Sequence, residues 1–168
     1  CVGFGGPRMQ AAGCKLLFDL TQFAVMFFLR VLLNLPKFFA LARQAEKYLK
    51  ENEVDAVVLI DYPGFNWTIA KRARRLGIPV YYYGVPQLWA WAPWRIRKMR
   101  RNVSYALCKL PFEEKWYRAR GCQAKYVGHP FFDELVSHQA DDDFIQELRD
   151  REGPLVTILP GSRTQEVE

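Results

Sequence analysis

Short apolar runs alternate with segments of helical periodicity along most of the chain. Strands are predicted where the runs are rich in β-branched and aromatic side chains, at residues 54–60, 78–83, 105–109, 124–127 and 155–159. The intervening apolar spacing predicts helices at residues 67–76, 111–120 and 142–151, of which the first two stop at Gly77 and Gly121. Strands and helices that alternate in this way predict an α/β fold with a Rossmann-like, doubly wound, mostly parallel sheet.

The first third of the chain extends this pattern. The Gly-rich opening residues read as part of a strand, and residues 22–52 read as helix that breaks or restarts near Pro36. The apolar stretch at residues 23–35 is interrupted by Arg30 and Asn34 and is too short to span a bilayer, so a buried or interface-lying helix is expected. Because the sequence starts at Cys1 and stops within a helix-like turn, we interpret it as a fragment of a longer protein.

Composition limits the class of protein. Half of the 168 residues are apolar, which is enough for an ordinary folded domain and excludes disorder. The excess of 24 Lys and Arg over 18 Asp and Glu gives a net charge of +6, which favours anionic partners without naming one. The four cysteines show neither paired nor zinc-ligand spacing, so we expect reduced thiols in a cytosolic protein and no metal site.

Ligands of open α/β sheets bind beyond the carboxyl ends of the strands, so polar residues there are candidates for chemistry. Asp61 follows the run at residues 54–60, beside a Pro-Gly turn, and could accept a proton from a substrate hydroxyl. The alternative is that Asp61 only braces the turn. Asn66 could cap the helix that follows.

A second candidate element is aromatic and then cationic. Trp89, Trp91 and Trp94 lie within six residues, and five bases follow at residues 95–101. Such an element suits sugar rings, acyl chains, an anionic lipid surface or a nucleic acid strand. A plain surface helix would explain the bases but not the clustered tryptophans.

Two further turns follow predicted strands. His129 stands at a Gly/Pro turn, where a structural role is commoner than catalysis or ligand binding. Gly161, Ser162 and Arg163 form a loop before a helix-like segment, where free backbone N–H groups and a guanidinium suit a phosphate. The polar residues 137–153 fit a domain boundary or a solvated helix equally well.

Six motifs in this order resemble the lipid-A-disaccharide synthases, a family of bacterial inverting glycosyltransferases. The resemblance covers essentially the whole chain and is carried by Gly6-Pro-Arg-Met-Gln10 with Gly13, Ile60-Asp-Tyr-Pro-Gly-Phe-Asn66, Pro86-Gln-Leu-Trp-Ala-Trp91, Leu110-Pro-Phe-Glu113, Tyr126-Val-Gly-His129, and Leu159-Pro-Gly-Ser-Arg163 with Glu166-Val-Glu168. It implies a two-domain GT-B enzyme, with residues 1–152 in an acceptor-binding domain that lacks its first strand and loop. Residues 153–168 would then begin a truncated donor-binding domain.

The resemblance also implies a reaction. Members condense UDP-2,3-diacylglucosamine with 2,3-diacylglucosamine 1-phosphate (lipid X) to give lipid A disaccharide 1-phosphate and UDP, without cofactor or metal. Such an enzyme would lie in the cytoplasm at the anionic surface of the inner membrane, and no nucleic acid partner is expected. Two alternatives remain open: another GT-B enzyme of cell-envelope UDP-sugar metabolism, and a non-catalytic basic module that binds lipid or nucleic acid.

Roles for particular residues follow from the same resemblance. Asp61 would be the general base, and substrate contacts would come from Asn66, Gln87, Trp89, Trp91 and His129. The donor phosphates would be held by Gly161, Ser162 and Arg163. Acyl chains or the membrane surface would be contacted by Phe27, Phe28, Trp94, Arg95 and Arg97.

Overall fold

A computed structural model describes residues 1–20 and 35–158. The described residues form two compact units, one spanning Cys1–Gly128 and the other beginning at His129. The predicted α/β fold with parallel strands is confirmed in the first unit.

The first unit contains two parallel sheets. Its smaller sheet pairs β1 (Val2–Gly5) with β2 (Lys15–Asp19), which confirms that the opening residues lie in a strand. The larger sheet has the order β3-β4-β5-β6. Its strands are β3 (Val57–Ile60), β4 (Val80–Tyr83), β5 (Tyr105–Cys108) and β6 (Ala124–Tyr126).

Helices connect these strands, as parallel pairing requires. Along the first unit they are α1 (Pro7–Ala11), α2 (Leu35–Glu51), α3 (Pro63–Arg75), α4 (Leu88–Trp91), α5 (Ile96–Asn102) and α6 (Pro111–Arg118), with a 3₁₀ turn at Pro93–Arg95. The predicted stops are confirmed, because Gly77 and Gly121 follow α3 and α6 with φ angles of +78° and +76°. Glycine adopts this left-handed conformation without the steric cost of a Cβ atom.

The core lies where α2, α3 and α6 pack with the larger sheet. Small residues of α3, Ala70 and Ala73, are fully buried and allow close packing, while Tyr82 and Tyr117 supply large buried rings. Removing such side chains from water is the main stabilising contribution of this layer.

The prediction that the run at residues 54–60 is buried on both faces is wrong for one of the two faces. Leu59 is buried, but Val58 and Ile60 are 58% and 52% exposed. The run looked like a strand enclosed by helices, whereas β3 lies at the edge of the four-stranded sheet and the described residues leave one of its faces open.

The second unit contains α7 (Pro130–Ser137) and α8 (Asp142–Arg149). The helix predicted at residues 142–151 is confirmed as α8, and α7 was not predicted. The strand predicted at residues 155–159 is wrong for its described part, since residues 155–158 form no strand and Leu155, Val156 and Ile158 are exposed. A strand needs a hydrogen-bonded neighbour, and the described residues provide none there.

Candidate functional site

The sharp turn after β3 presents Asp61 at the carboxyl edge of the larger sheet. Asp61 and Tyr62 both adopt left-handed backbone conformations, with φ angles of 47° and 43°, and the Asp61 side chain is exposed. For residues other than glycine this conformation costs about 1–3 kcal/mol, and such strain persists only where the surroundings enforce it. Backbone strain at an exposed carboxylate is typical of a functional site.

Two buried side chains hold this turn in place. Tyr82 Oη donates a hydrogen bond to the Asp61 carbonyl oxygen at 2.7 Å. Asn66 Nδ2 donates to the same oxygen at 2.5 Å and lies 3.2 Å from the Ile60 carbonyl oxygen. Burial raises the pKa of the Tyr82 hydroxyl far above its usual range, so this donor stays protonated. The position of Asp61 is therefore held by these contacts to its carbonyl group and by its own N–H group, which donates to the Tyr83 carbonyl oxygen at 3.3 Å.

The capping role predicted for Asn66 is wrong. α3 starts at Pro63, four residues earlier than predicted, and its N-cap residue is Tyr62. Proline suits the first helical position because its φ angle is already helical and its missing N–H group is not needed there. Asn66 consequently lies within the first turn of α3, where its amide group binds the chain that precedes the helix. Its contact with a substrate remains a prediction.

The loop after β4 carries the second group of candidates to the same edge. Gln87 is exposed and is the N-cap residue of α4, and Trp89 lies within that helix. Trp89 Nε1 donates to Glu113 Oε1 at 3.3 Å, and its ring packs edge-on against Phe112 with 5.0 Å between centroids.

Glu113 is a structural residue of this loop to which sequence reasoning gave no role. Its carboxylate is 2% exposed and accepts hydrogen bonds from Trp89 and from the Leu110 backbone N–H group. Nearby, Tyr117 Oη donates to the Pro86 carbonyl oxygen at 2.5 Å. α6 thus fixes the loop after β4 through two side chains. The Leu110-Pro-Phe-Glu113 motif predicted that a helix begins here, but it did not indicate that Glu113 contacts Trp89.

The remaining aromatic and cationic candidates lie on the surface. Trp91 and Trp94 are 79% and 69% exposed, which excludes the core as the reason for their clustering. Arg95 is exposed in the 3₁₀ turn, and Arg97 lies in α5. Their contact with acyl chains or a membrane remains a prediction, and no helix among the described residues is long and apolar enough to cross a bilayer.

Lys109 adds a cation at the carboxyl edge that sequence reasoning overlooked. It follows β5 directly, and its Nζ atom lies 3.2 Å from the point where a Cβ atom of Gly84 would stand. Gly84 has a φ angle of +64°, so both its conformation and the nearby lysine favour glycine at this turn. The signal in the sequence was a basic residue at the end of a predicted strand.

His129 belongs to the second unit, where it caps α7. Its Nδ1 atom accepts a hydrogen bond from the Phe131 backbone N–H group at 3.3 Å, so the structural role considered for this histidine is present. A substrate contact remains a prediction. Five other candidates lie outside the described residues: Phe27, Phe28, Gly161, Ser162 and Arg163.

The fold and the carboxyl-edge residues place the first unit in the class of Rossmann-like α/β domains with a polar site beyond the strand ends. The sequence model of the lipid-A-disaccharide synthetase family matches residues 1–168. The chain belongs to this family.

Individual relatives agree with the family match. The chain is 38% identical over 166 residues to a lipid-A-disaccharide synthase of Myxococcus xanthus and 39% identical over 166 residues to one of Trichlorobacter lovleyi. Each alignment covers 98% of this chain and 43% of the relative. A lipid-A-disaccharide synthase of Koribacter versatilis is 38% identical over 167 residues, which are 99% of this chain and 44% of the relative. The chain therefore spans less than half the length of these curated relatives.

Proposed function

We propose that the full-length protein containing this chain is a glycosyltransferase that condenses UDP-2,3-diacylglucosamine with 2,3-diacylglucosamine 1-phosphate. The products are lipid A disaccharide 1-phosphate and UDP. The family match over residues 1–168 carries this proposal. Residues 1–152 would form the acceptor-binding domain of a GT-B enzyme, and residues 153–168 would begin the donor-binding domain.

Asp61 acts as the general base in this proposal. Its carboxylate accepts the proton of the acceptor's 6-hydroxyl group while that oxygen bonds to the anomeric carbon of the donor. The bond from this carbon to the UDP phosphate oxygen breaks on the opposite face, and UDP leaves with the electron pair. In-line displacement inverts the anomeric carbon and yields the β(1→6) linkage. The exposed, strained and doubly hydrogen-bonded turn supports this assignment.

The surroundings of Asp61 suit a lipid acceptor with a phosphate group. Trp91 and Trp94 offer exposed rings to acyl chains or to the membrane interface. Lys109 supplies a positive charge at the edge that also carries Asp61, where it would attract a substrate phosphate. Arg163 would offset the charge that develops on departing UDP.

The test is to incubate the full-length protein with both substrates and to measure the disaccharide 1-phosphate and UDP by mass spectrometry. Asp61→Asn removes the base and keeps a side chain that tolerates left-handed backbone, so we expect kcat to fall about 10²–10⁴-fold in a folded protein. The matched control is Asp55→Asn. Asp55 is also exposed, but it precedes β3 and so lies at the amino end of this strand, away from the carboxyl end that carries Asp61.

Three results would contradict parts of the proposal. A folded full-length protein that forms no disaccharide refutes the substrate assignment, and unchanged activity of Asp61→Asn removes Asp61 from the mechanism. Residues 1–168 alone are expected to be inactive, so measurable turnover by this segment would contradict the two-domain arrangement.

A further inference from the structure

The outer surface of the first unit contains a basic cavity between α3 and α5. Its volume is about 490 Å³, and it is distinct in position from the turn at Asp61. The cavity-lining residues of α3 run from Trp67 to Arg75, and the helix rises about 1.5 Å per residue, so they lie about 6 to 18 Å along the axis from the helix start at Pro63. Of the residues predicted above to contact substrate or membrane, Arg97 lines the cavity, whereas Asp61, Asn66 and Trp89 do not.

Six cationic side chains line the cavity, three from each helix: Lys71, Arg72, Arg75, Arg97, Lys98 and Arg101. Lys71 and Arg75 are four residues apart on α3 and therefore lie on the same face of that helix. Arg97 and Arg101 have the same spacing on α5, so each helix contributes one row of positive charges to the cavity. Like charges at this spacing repel each other and destabilise a helix. An anion bound between the two rows would remove that repulsion.

Compensation by the protein itself is small. Among the described residues no carboxylate lines the cavity, and one of the lining cations, Arg72, forms an ion pair with Glu46 of α2. Glu46 Oε2 lies 2.9 Å from Arg72 Nη1, in an ion pair whose angle is not that of a hydrogen bond, and Glu46 Oε1 lies 3.0 Å from Lys50 Nζ. The pKa of Glu46 is lowered mainly by Lys50 and to a smaller extent by Arg72 and Arg75, so Glu46 is ionised. Its charge is already paired with Lys50 and Arg72.

An unused donor accompanies these charges. The Trp67 ring packs on Tyr82 with 5.8 Å between centroids, and its buried Nε1–H group has no hydrogen-bond partner among the described residues. A buried donor without a partner destabilises the folded protein, and an acceptor oxygen at this place would supply the missing hydrogen bond. Guanidinium groups bind tetrahedral oxyanions through paired N–H donors, and lysines add point charges.

We propose that the cavity between α3 and α5 is a binding site for a phosphate group, either free phosphate or the phosphodiester of an anionic lipid headgroup. The two sources share the same recognition chemistry. The site goes beyond the proposed reaction and does not depend on it, because neither Asp61 nor its hydrogen-bonding partners line the cavity.

The test compares two double variants of the full-length protein. The first, Arg75→Gln with Arg101→Gln, removes one guanidinium from each wall of the cavity. The matched control, Arg74→Gln with Arg100→Gln, changes the adjacent exposed arginines of the same helices, which do not line it. Both variants lose the same charge, and glutamine has a good helix propensity. Circular dichroism verifies that both remain folded.

Binding is measured in two arms. Inorganic phosphate is titrated by calorimetry, and flotation is measured with phosphatidylcholine vesicles that contain or lack phosphatidylglycerol. We expect the cavity variant to weaken binding about tenfold or more in at least one arm, and the control variant by less than about twofold. Loss in the phosphate arm identifies free phosphate as a ligand, whereas loss confined to the vesicle arm identifies a lipid headgroup.

Three outcomes would overturn the proposal. One is equal weakening by the two variants, which means that only overall charge matters. Another is the absence of binding in both arms. The last is a gel shift with single-stranded DNA that requires Arg75 and Arg101 when phosphate and vesicles do not bind, which would assign the surface to nucleic acid.

Discussion

Tyr82→Phe tests whether the turn at Asp61 is held by the hydrogen bonds to its carbonyl oxygen. The substitution removes one hydroxyl group from a fully buried ring and leaves the packing intact. A typical protein hydrogen bond contributes about 0.5–1.5 kcal/mol to stability. Since the Asp61 carbonyl keeps its bond to Asn66, we expect the free energy of unfolding to fall by about 1 kcal/mol.

The effect on activity follows from the strained backbone. Asp61 and Tyr62 are both held in left-handed conformations, so loss of one of the two hydrogen bonds to the Asp61 carbonyl oxygen lets the turn sample other conformations. If Asp61 is the general base, kcat falls about tenfold, equivalent to about 1.4 kcal/mol, while KM changes by less than about twofold. Steady-state kinetics and urea unfolding of the full-length protein measure both quantities.

The control is Tyr81→Phe, in which the lost hydroxyl belongs to a half-buried ring that stacks on Tyr105. It should leave kcat unchanged. A double-mutant cycle of Tyr82→Phe with Asn66→Ala should show coupling, because both donors share the Asp61 carbonyl oxygen. Tyr82→Phe with lower stability but full kcat would refute the positioning argument. A raised KM with unchanged kcat would instead assign the pair to substrate binding.

Three further predictions concern residues outside the reaction itself. Glu113→Ala should free Trp89 and shift tryptophan emission to the red, whereas Glu113→Gln keeps an acceptor and should shift it less. Burial, together with the nearby charge of Glu113, raises the pKa of Cys108 to about 12 from 9.0, so folding favours the protonated thiol. Its contribution to stability is therefore complete below about pH 9 and is lost as the pH rises towards 12, which urea unfolding of Cys108→Ala against the parent would detect. Cys1 Sγ and Cys14 Sγ lie 3.4 Å apart, so diamide should oxidise this pair to a disulfide. Peptide mapping would detect the disulfide because both thiols then resist alkylation.

Each of these has an outcome that contradicts it. An unchanged emission spectrum in Glu113→Ala would mean that Trp89 is held by other contacts. Parallel pH profiles for Cys108→Ala and its parent would show that this thiol does not contribute to the alkaline loss. Diamide-treated protein in which Cys1 and Cys14 remain free would place the two thiols farther apart in solution.

Local patterns in the sequence were sufficient for most elements of the first unit. The strands predicted at 78–83, 105–109 and 124–127 are confirmed with shorter bounds. Apolar runs and helix-ending glycines could predict them because both signals depend only on residues that are close together in the chain. Asp61 could be singled out for the same reason, because it directly follows a predicted strand. The strand predicted at 155–159 is wrong for its described residues, 155–158, since apolar composition does not provide a pairing partner.

Contacts between distant residues could be decided only by the tertiary structure. Tyr82 is 21 residues from Asp61 and Trp89 is 24 residues from Glu113, so no local pattern reveals that they meet. The exposed face of β3 depends on which other elements cover the sheet, and the basic cavity depends on how α3 packs beside α5. The sequence by itself determined most strands of the larger sheet and the polar residues that follow them, because these are properties of adjacent residues. The tertiary structure decided which donors hold Asp61 and where the cations converge, because both depend on packing between elements far apart in the chain.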